Sequence, residues 1–238
     1  MKRILIALAT YNERDNLPPL IDEIFAAVPE ADILVIDDNS PDGTGDWAQS
    51  FSSSGRRLKL IRRSGKLGLG SAVLEAMRYA ADSGYDYLLN MDADGSHRPQ
   101  YIASLLQKSA EGYDVVIGSR YIAGGGVENW AWYRRLMSWC INRYARLMLG
   151  LKTRDNSGSF RCYRVELLRR LDTESVVSRG YSFFEEILYR LSALGASFAE
   201  VPIIFADRRF GQSKINKSEV FKALWILFRI APYWTKTR

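Results

Sequence analysis

Histidine is almost missing from this chain, cysteine is scarce, and no apolar run is long. Of 238 residues, one is His and two are Cys. The cysteines, Cys140 and Cys162, make no metal-binding or redox spacing and fit a reducing compartment. The nearest approach to a membrane span is Ala223 to Phe228, stopped by Arg229 and Pro232. That is far short of the roughly 20 apolar residues a spanning helix needs. Met1-Lys2-Arg3 is followed only by the short apolar stretch Ile4 to Ala9, too brief for a signal peptide. The expectation is a cytoplasmic protein that does not cross a membrane unaided. Internal repeats, low-complexity segments and dividing linkers are also absent, which predicts one domain over residues 1–238.

What is present is a globular composition with a basic excess. Hydrophobic residues make up 47% and charged residues 25%, and the net charge is +6. Such an excess points to an anionic partner: a nucleic acid, a phosphorylated substrate or an anionic membrane surface.

The densest chemical signal is Asp92-Ala93-Asp94, reached directly from the apolar run Tyr87 to Met91. Two carboxylates so close repel each other, and a divalent cation removes the conflict. Hard oxygen ligands suit Mg²⁺ or Mn²⁺, ions that commonly hold phosphates. The surrounding pattern supports a site. Ile4–Ala9, Ile33–Ile36, Leu58–Ile61, Tyr87–Met91 and Val115–Ile117 read as strands; Leu17–Val28, Ser71–Ala81 and Tyr101–Ala110 carry helical periodicity between them. This alternation predicts an α/β fold with a mostly parallel sheet covered on both faces, where ligands sit at the carboxyl ends of strands. Thr10-Tyr11-Asn12-Glu13, Asp37-Asp38-Asn39-Ser40 and Asp92-Ala93-Asp94 all fall at such ends. Acidic strand ends would repel a polyanion, so nucleic acid is not expected as the partner.

Other segments have a structural and a functional reading. Asp42-Gly43-Thr44 reads best as a turn with Thr44 capping a helix, whereas Asp38 is read as a ligand to a base or ribose. Lys66-Leu67-Gly68-Leu69-Gly70 lacks the spacing of a P-loop and reads as a tight loop closing over a nucleotide, or as a plain turn. His97, before Arg98-Pro99, offers a metal ligand or a base, but a structural role at a helix entrance is the commoner use. Gly124-Gly125-Gly126 reads as a flexible break before a helical pattern over Tyr133–Leu149. Farther on come the turn Asp155–Ser159, the segment Phe160–Arg164, a helix over Phe183–Leu194 and one apolar strand, Phe198–Phe205. The arginines of Gly118-Ser119-Arg120-Tyr121 and Trp132-Tyr133-Arg134-Arg135 suit phosphate binding, although Arg135 reads equally as a surface residue over a tryptophan face. The basic loop Asp207 to Lys214 suits a lid over a diphosphate.

In this order the motifs resemble the dolichol-phosphate mannose synthase family, inverting glycosyltransferases of family 2 with the GT-A fold. The resemblance spans nearly the whole chain, through Asp37–Thr44, Lys66–Gly70, Asp92–Asp94, Ser96–Pro99, Gly118–Tyr121 and Glu200-Val201-Pro202-Ile203, to Gly211-Gln212-Ser213-Lys214. It implies a nucleotide-sugar half over about residues 1–119 and an acceptor half beyond. Ala9, Tyr11, Glu13, Ile36 and Asp38 would line the nucleotide pocket. Asp92 and Asp94, with the Ala93 backbone, would hold Mg²⁺ or Mn²⁺ and the donor diphosphate. Arg120 and Arg134 would bind the acceptor phosphate, and Arg208 and Lys214 would close on the donor. The implied reaction moves mannose from GDP-mannose to a polyprenyl phosphate, with a UDP-sugar or another phosphorylated acceptor as the alternative and a non-catalytic binding module as a remote one. The chain departs from the family at Ala9, where Pro is usual, and at Gly95, where a larger apolar residue is usual. Phe184 stands before Glu186 where Gln is common, which bears on sugar or acceptor selection. Many relatives append membrane helices, so a peripheral membrane contact or membrane-anchoring subunits are expected. The closing amphipathic pattern, with Val220, Leu224, Leu227, Phe228 and Ala231 on one face and Phe221, Trp225 and Phe228 near Lys217, Lys222 and Arg229, suits an interfacial helix or one packed on the core.

Overall fold

A computed structural model describes residues 2–178, 180, 182–207 and 225–231. Strands β1 (Ile4–Thr10), β2 (Asp32–Asp37), β3 (Leu58–Arg62), β4 (Tyr87–Asp92) and β5 (Val115–Ser119) alternate with helices α1 (Leu17–Ala27), α2 (Thr44–Ser53), α3 (Leu69–Asp82) and α4 (Ile102–Ala110). A short strand β6 (Gly126–Val127) precedes the long helix α5 (Trp132–Leu149). Then follow β7 (Arg161–Arg164), α6 (Val165–Leu168), α7 (Phe183–Ala193), β8 (Phe198–Pro202) and β9 (Ile204–Phe205). The main sheet has the order β3-β2-β1-β4-β7-β5-β8, and β6 pairs with β9 in a small second sheet.

The apolar runs are continuous because the central strands are buried on both faces. Along β1, alternate side chains go to opposite layers. Leu5 and Ala7 join a core cluster with α3, α5 and α7; Ile4, Ile6 and Leu8 join another with α1, α2 and α4. Helix α1 starts at Leu17-Pro18-Pro19, where missing backbone N–H groups cost no helical bond.

Register confirms that the polar strand ends share one edge. Ala9 stands beside Ile36 on one side and beside Asp92 on the other, and Thr10 beside Asp37.

The main sheet is mostly parallel, as the alternation predicts; β7 runs antiparallel between β4 and β5. The chain leaves the sheet at the carboxyl end of β5 and re-enters at that same edge, so β7 must run backwards. Three readings of the sequence are corrected here. Phe198–Phe205 is two strands in different sheets: β8 pairs with β5 up to Pro202, and β9 pairs with β6. Pro202 has no N–H to continue the ladder. The three glycines are a packed turn: the Gly125 N–H donates to the Ile122 carbonyl at 2.9 Å, and a Cβ there would lie 2.4 Å from the Ser119 carbonyl oxygen. Thr44 is the first residue of α2 and Gly43 its cap; the Thr44 hydroxyl donates to Asp42 at 2.5 Å and accepts from the Glu13 N–H at 3.0 Å.

Candidate active site

Three loops follow β1, β2 and β3, and buried carboxylates stitch them together. Asp37, 1% exposed, accepts from Thr10 Oγ1 at 2.9 Å and from the Ser40 N–H and hydroxyl. Two asparagines, Asn12 (φ 59°) and Asn39 (φ 57°), turn these loops through the left-handed region. Asp38 is buried and bonded within the chain. Its carboxylate pairs with the buried Arg63 and accepts the Leu67 and Gly68 N–H groups at 3.1 and 3.3 Å. It thereby pins the Lys66–Gly70 loop to the strand edge, while Lys66 Nζ stands 4.6 Å from the Tyr11 ring centroid. Ala9 and Tyr11 are half-buried at the same edge and Glu13 accepts from Asn16 Nδ2 at 2.7 Å. Ile36 is a core residue, 1% exposed.

The pair Asp92 and Asp94 is held by two loops, the one after β4 and the one before β7. Asp92 Oδ1 accepts from the Ser159 hydroxyl at 2.7 Å, and Asp94 Oδ1 accepts from the Ser96 N–H and hydroxyl at 3.0 and 2.6 Å. Gly95, at φ +79°, supplies the left-handed turn that folds Ser96 back onto Asp94. His97 is structural: it is 2% exposed, its Nδ1 accepts the Asp92 N–H at 3.0 Å, and its ring stacks on Phe160. Burial lowers its pKa and keeps it neutral, as an acceptor at Nδ1 requires.

Among the described residues no three His, Cys, Asp or Glu side chains cluster as a complete metal cage. Two hard carboxylates at a sheet edge do fit an ion that arrives with a diphosphate, because Mg²⁺ and Mn²⁺ are held by one or two carboxylates plus substrate phosphates and water.

Beyond these acids lie the two arginines. Arg120 is buried and forks onto Asp155, with Nε and Nη2 each 2.7 Å from a carboxylate oxygen. Its backbone N–H also donates to Asp155 at 2.9 Å, and Nη2 reaches Ser157 Oγ at 3.1 Å. Burial would lower the Arg120 pKa, but Asp155 outweighs it and the guanidinium stays charged. Burial likewise works to raise the Asp155 carboxyl, and Arg120 more than offsets it, leaving the group below the ordinary aspartate value. Arg134 lies over the Trp130 ring, 3.9 Å from its centroid, and 3.9 Å from Asp207. Arg120 faces the same ring at 5.7 Å, so Trp130 gathers both guanidinium groups. Arg135 is the exposed one, donating to the Val127 carbonyl at 3.3 Å.

Arg208, Lys214 and the rest of the basic loop lie outside the described residues. Reading the sequence missed Asp155, Ser159, Arg63 and Trp130. Asp155 and Ser159 had the signal of a polar turn only, and nothing local says that β7 starts at the catalytic edge. Glu186 accepts the Val177 and Ser178 N–H groups at 3.0 and 2.7 Å and pairs with Arg190, so it clamps a segment onto α7. Its neighbour Glu185 is buried, and burial pushes its pKa up to about 8.

Comparisons with known proteins agree with this geometry. Residues 5–172 match the model of "Glycosyl transferase family 2". The chain is 41% identical to an undecaprenyl-phosphate mannosyltransferase of Micrococcus luteus, over 93% of this chain and 91% of that one. It is 40% identical to a polyprenol monophosphomannose synthase of Mycolicibacterium smegmatis, over 100% and 89%. Among solved structures, glucosyl-3-phosphoglycerate synthase from Mycobacterium tuberculosis, bound to Mn²⁺, UDP and glucosyl-3-phosphoglycerate, superposes with a TM-score of 0.66 at 20% identity, over 97% of this chain and 78% of that one. The mannosyltransferase PcManGT from Pyrobaculum calidifontis, with GDP-Man and Mn²⁺, gives 0.60 at 14%, over 99% and 72%. An acidic pair at the carboxyl edge of a GT-A sheet and a family match across most of the chain place it in glycosyltransferase family 2.

Proposed function

We propose that the chain transfers mannose from GDP-mannose to a polyprenyl phosphate, with inversion, at the cytoplasmic face of a membrane. The observation that carries this reading is the gathering of Arg120 and Arg134 over Trp130, joined to Asp92 through the Asp155–Ser159 loop. Two relatives at about 40% identity act on polyprenyl phosphates by name and support the acceptor class.

The chemistry follows from charge. Transfer builds positive charge at the anomeric carbon and negative charge on the departing diphosphate. A divalent ion, Mg²⁺ or Mn²⁺, held by Asp92 and Asp94, would supply Lewis-acid stabilisation of that diphosphate. Arg208 and Lys214 would add positive charge on the donor side. A phosphate acceptor needs no general base, since its second ionisation lies near pH 6 and its oxygen is already anionic. This fits a site with two arginines and a neutral, buried His97. Arg120, fixed by Asp155, and Arg134, backed by Trp130, would orient the acceptor oxygen for in-line attack. Ala9, Tyr11 and Glu13 would line the nucleotide pocket, and Asp38 would serve it by holding the Lys66–Gly70 loop. Membrane-anchoring subunits would suit a chain in which no described helix is long and apolar enough to cross a bilayer.

The test is transfer of label from GDP-mannose to a short polyprenyl phosphate with Mg²⁺ or Mn²⁺, with and without EDTA. Metal-dependent label in an organic-extractable, mild-acid-labile product is expected, and Asp94→Ala should lose it by about 10²-fold or more. GDP-mannose binding without transfer would refute the acceptor; no binding would refute the donor and turn the search to UDP-sugars.

A further inference from the structure

Trp130 carries a hydrogen-bond donor that the fold leaves unused. The residue is 8% exposed, and its indole Nε1 is buried with no partner among the described residues. A buried N–H has given up its bond to water, so folded chains nearly always supply an acceptor in exchange. Buried tryptophans follow that rule as a class. Here the ring's other contacts are accounted for. Phe205 meets it in a T-shaped contact with centroids 5.5 Å apart, Arg134 lies over it at 3.9 Å, and Arg120 stands at 5.7 Å. Those contacts use an aromatic ring, and none of them uses the N–H.

The place of this orphaned donor specifies its acceptor. Asn129, at φ 56°, turns the chain between β6 and α5, and the Glu128 N–H donates to the Phe205 carbonyl at 2.9 Å. Trp130 is thereby fixed between the β6–β9 pair and the first turn of α5, where Arg134 sits. Each guanidinium group that shares the ring has a carboxylate beside it, Asp155 for Arg120 and Asp207 for Arg134. Arg120 spends Nε and Nη2 on Asp155 and Ser157, which leaves Nη1 without a partner among the described residues. An unused indole N–H next to an unused guanidinium N–H suits an anion.

A phosphate monoester suits it in particular. It presents three acceptor oxygens, of which one attacks the sugar and two are spectators. A neutral donor can hold a spectator oxygen without adding a third cation that would draw charge from the attacking one. We infer that the Trp130 indole N–H donates a hydrogen bond to a spectator oxygen of the acceptor phosphate, as a third donor beside Arg120 and Arg134. The inference rests on the proposed phosphate acceptor, and it makes Trp130 a binding residue as well as a support for the arginines.

The full chain, labelled with indole-¹⁵N tryptophan, gives six indole resonances, and Trp130→Phe assigns the one at issue. Geranyl phosphate should move that resonance downfield, whereas geraniol and GDP with Mg²⁺ should not. Trp130→Phe should raise KM for geranyl phosphate about tenfold and leave GDP-mannose affinity unchanged. Benzothienylalanine at position 130 keeps a fused aromatic ring and carries sulfur in place of the N–H. It should raise KM as much without lowering the melting temperature, because no bond inside the protein is lost. A lower melting temperature with an unchanged KM would make the N–H structural and overturn the inference. A resonance that stays put while geranyl phosphate accepts mannose rejects the hydrogen bond and keeps the proposed reaction. Movement with inorganic phosphate, in a chain that transfers nothing to geranyl phosphate, keeps the hydrogen bond and rejects the lipid acceptor. Movement with GDP-mannose alone overturns the inference, as does no movement with either phosphate.

Discussion

Glu185 is a carboxyl placed where it cannot easily ionise. It is 2% exposed, its Oε2 has no hydrogen-bond partner among the described residues, and burial sets its pKa at about 8, against 4.5 for the ordinary group. The folded state therefore holds a proton that the unfolded chain releases above pH 4.5. Stability from this group is full below that value and is lost as the pH rises towards about 8. Glu185→Gln should raise the melting temperature by several degrees at about pH 9 and change it little at about pH 5. Thermal melts across that range decide it, and an equal shift at both ends would reject the buried-acid account. Arg63 tests the opposite situation, a buried charge with a full partner. Arg63→Ala leaves the Asp38 carboxylate facing the loop without its cation and should cost about 3 kcal/mol or more in urea unfolding. Affinity for the proposed donor, GDP-mannose, should fall as well, because the Lys66–Gly70 loop loses its tether.

At the scale of elements, the turn after β5 sets where Arg120 points. The Cβ of an alanine at Gly125 would lie 2.4 Å from the Ser119 carbonyl oxygen and 3.0 Å from the Arg120 carbonyl carbon, both backbone. Gly125→Ala should cost about 1–3 kcal/mol and lower kcat, since relief of the clash moves Arg120 away from Asp155. A variant with wild-type stability and kcat would show that the turn has slack. The five strands of the first half were legible because burial on both faces writes an unbroken apolar run into local sequence; β1, for example, differs from its reading only by Thr10. The direction of β7 was not legible, because four apolar and polar residues look alike in either orientation. The closing helix was half legible. Leu227 and Phe228, read as sharing one face, part company: Leu227 is buried and Phe228 is exposed beside Trp225, while Val220, Phe221 and Leu224 lie outside the described residues.

For the whole molecule, the question is what the ion would hold together. Asp92 and Asp94 already have hydrogen-bond partners in Ser159 and Ser96, and Asp92 is 30% exposed. The fold does not need a cation to neutralise them, unlike small domains whose folding is metal-driven. EDTA should therefore abolish transfer while leaving the melting temperature within a few degrees, which differential scanning calorimetry and the transfer assay together measure. A large drop in melting temperature would mean that the ion is structural.

Local sequence determined the layered α/β architecture, the shared edge of the polar loops and the acidic pair at the end of β4. Each depends on run length, periodicity or adjacency along the chain, which neighbours in sequence are enough to define. Only the tertiary structure decided that Asp38 and Glu186 are occupied inside the protein, that Asp155 fixes Arg120, and that Trp130 unites Arg120 with Arg134. These outcomes depend on which side chains meet across the reversed β7 and the long span of α5. Packing and the desolvation of paired charges choose those partners, and neither acts on residues by their distance along the chain.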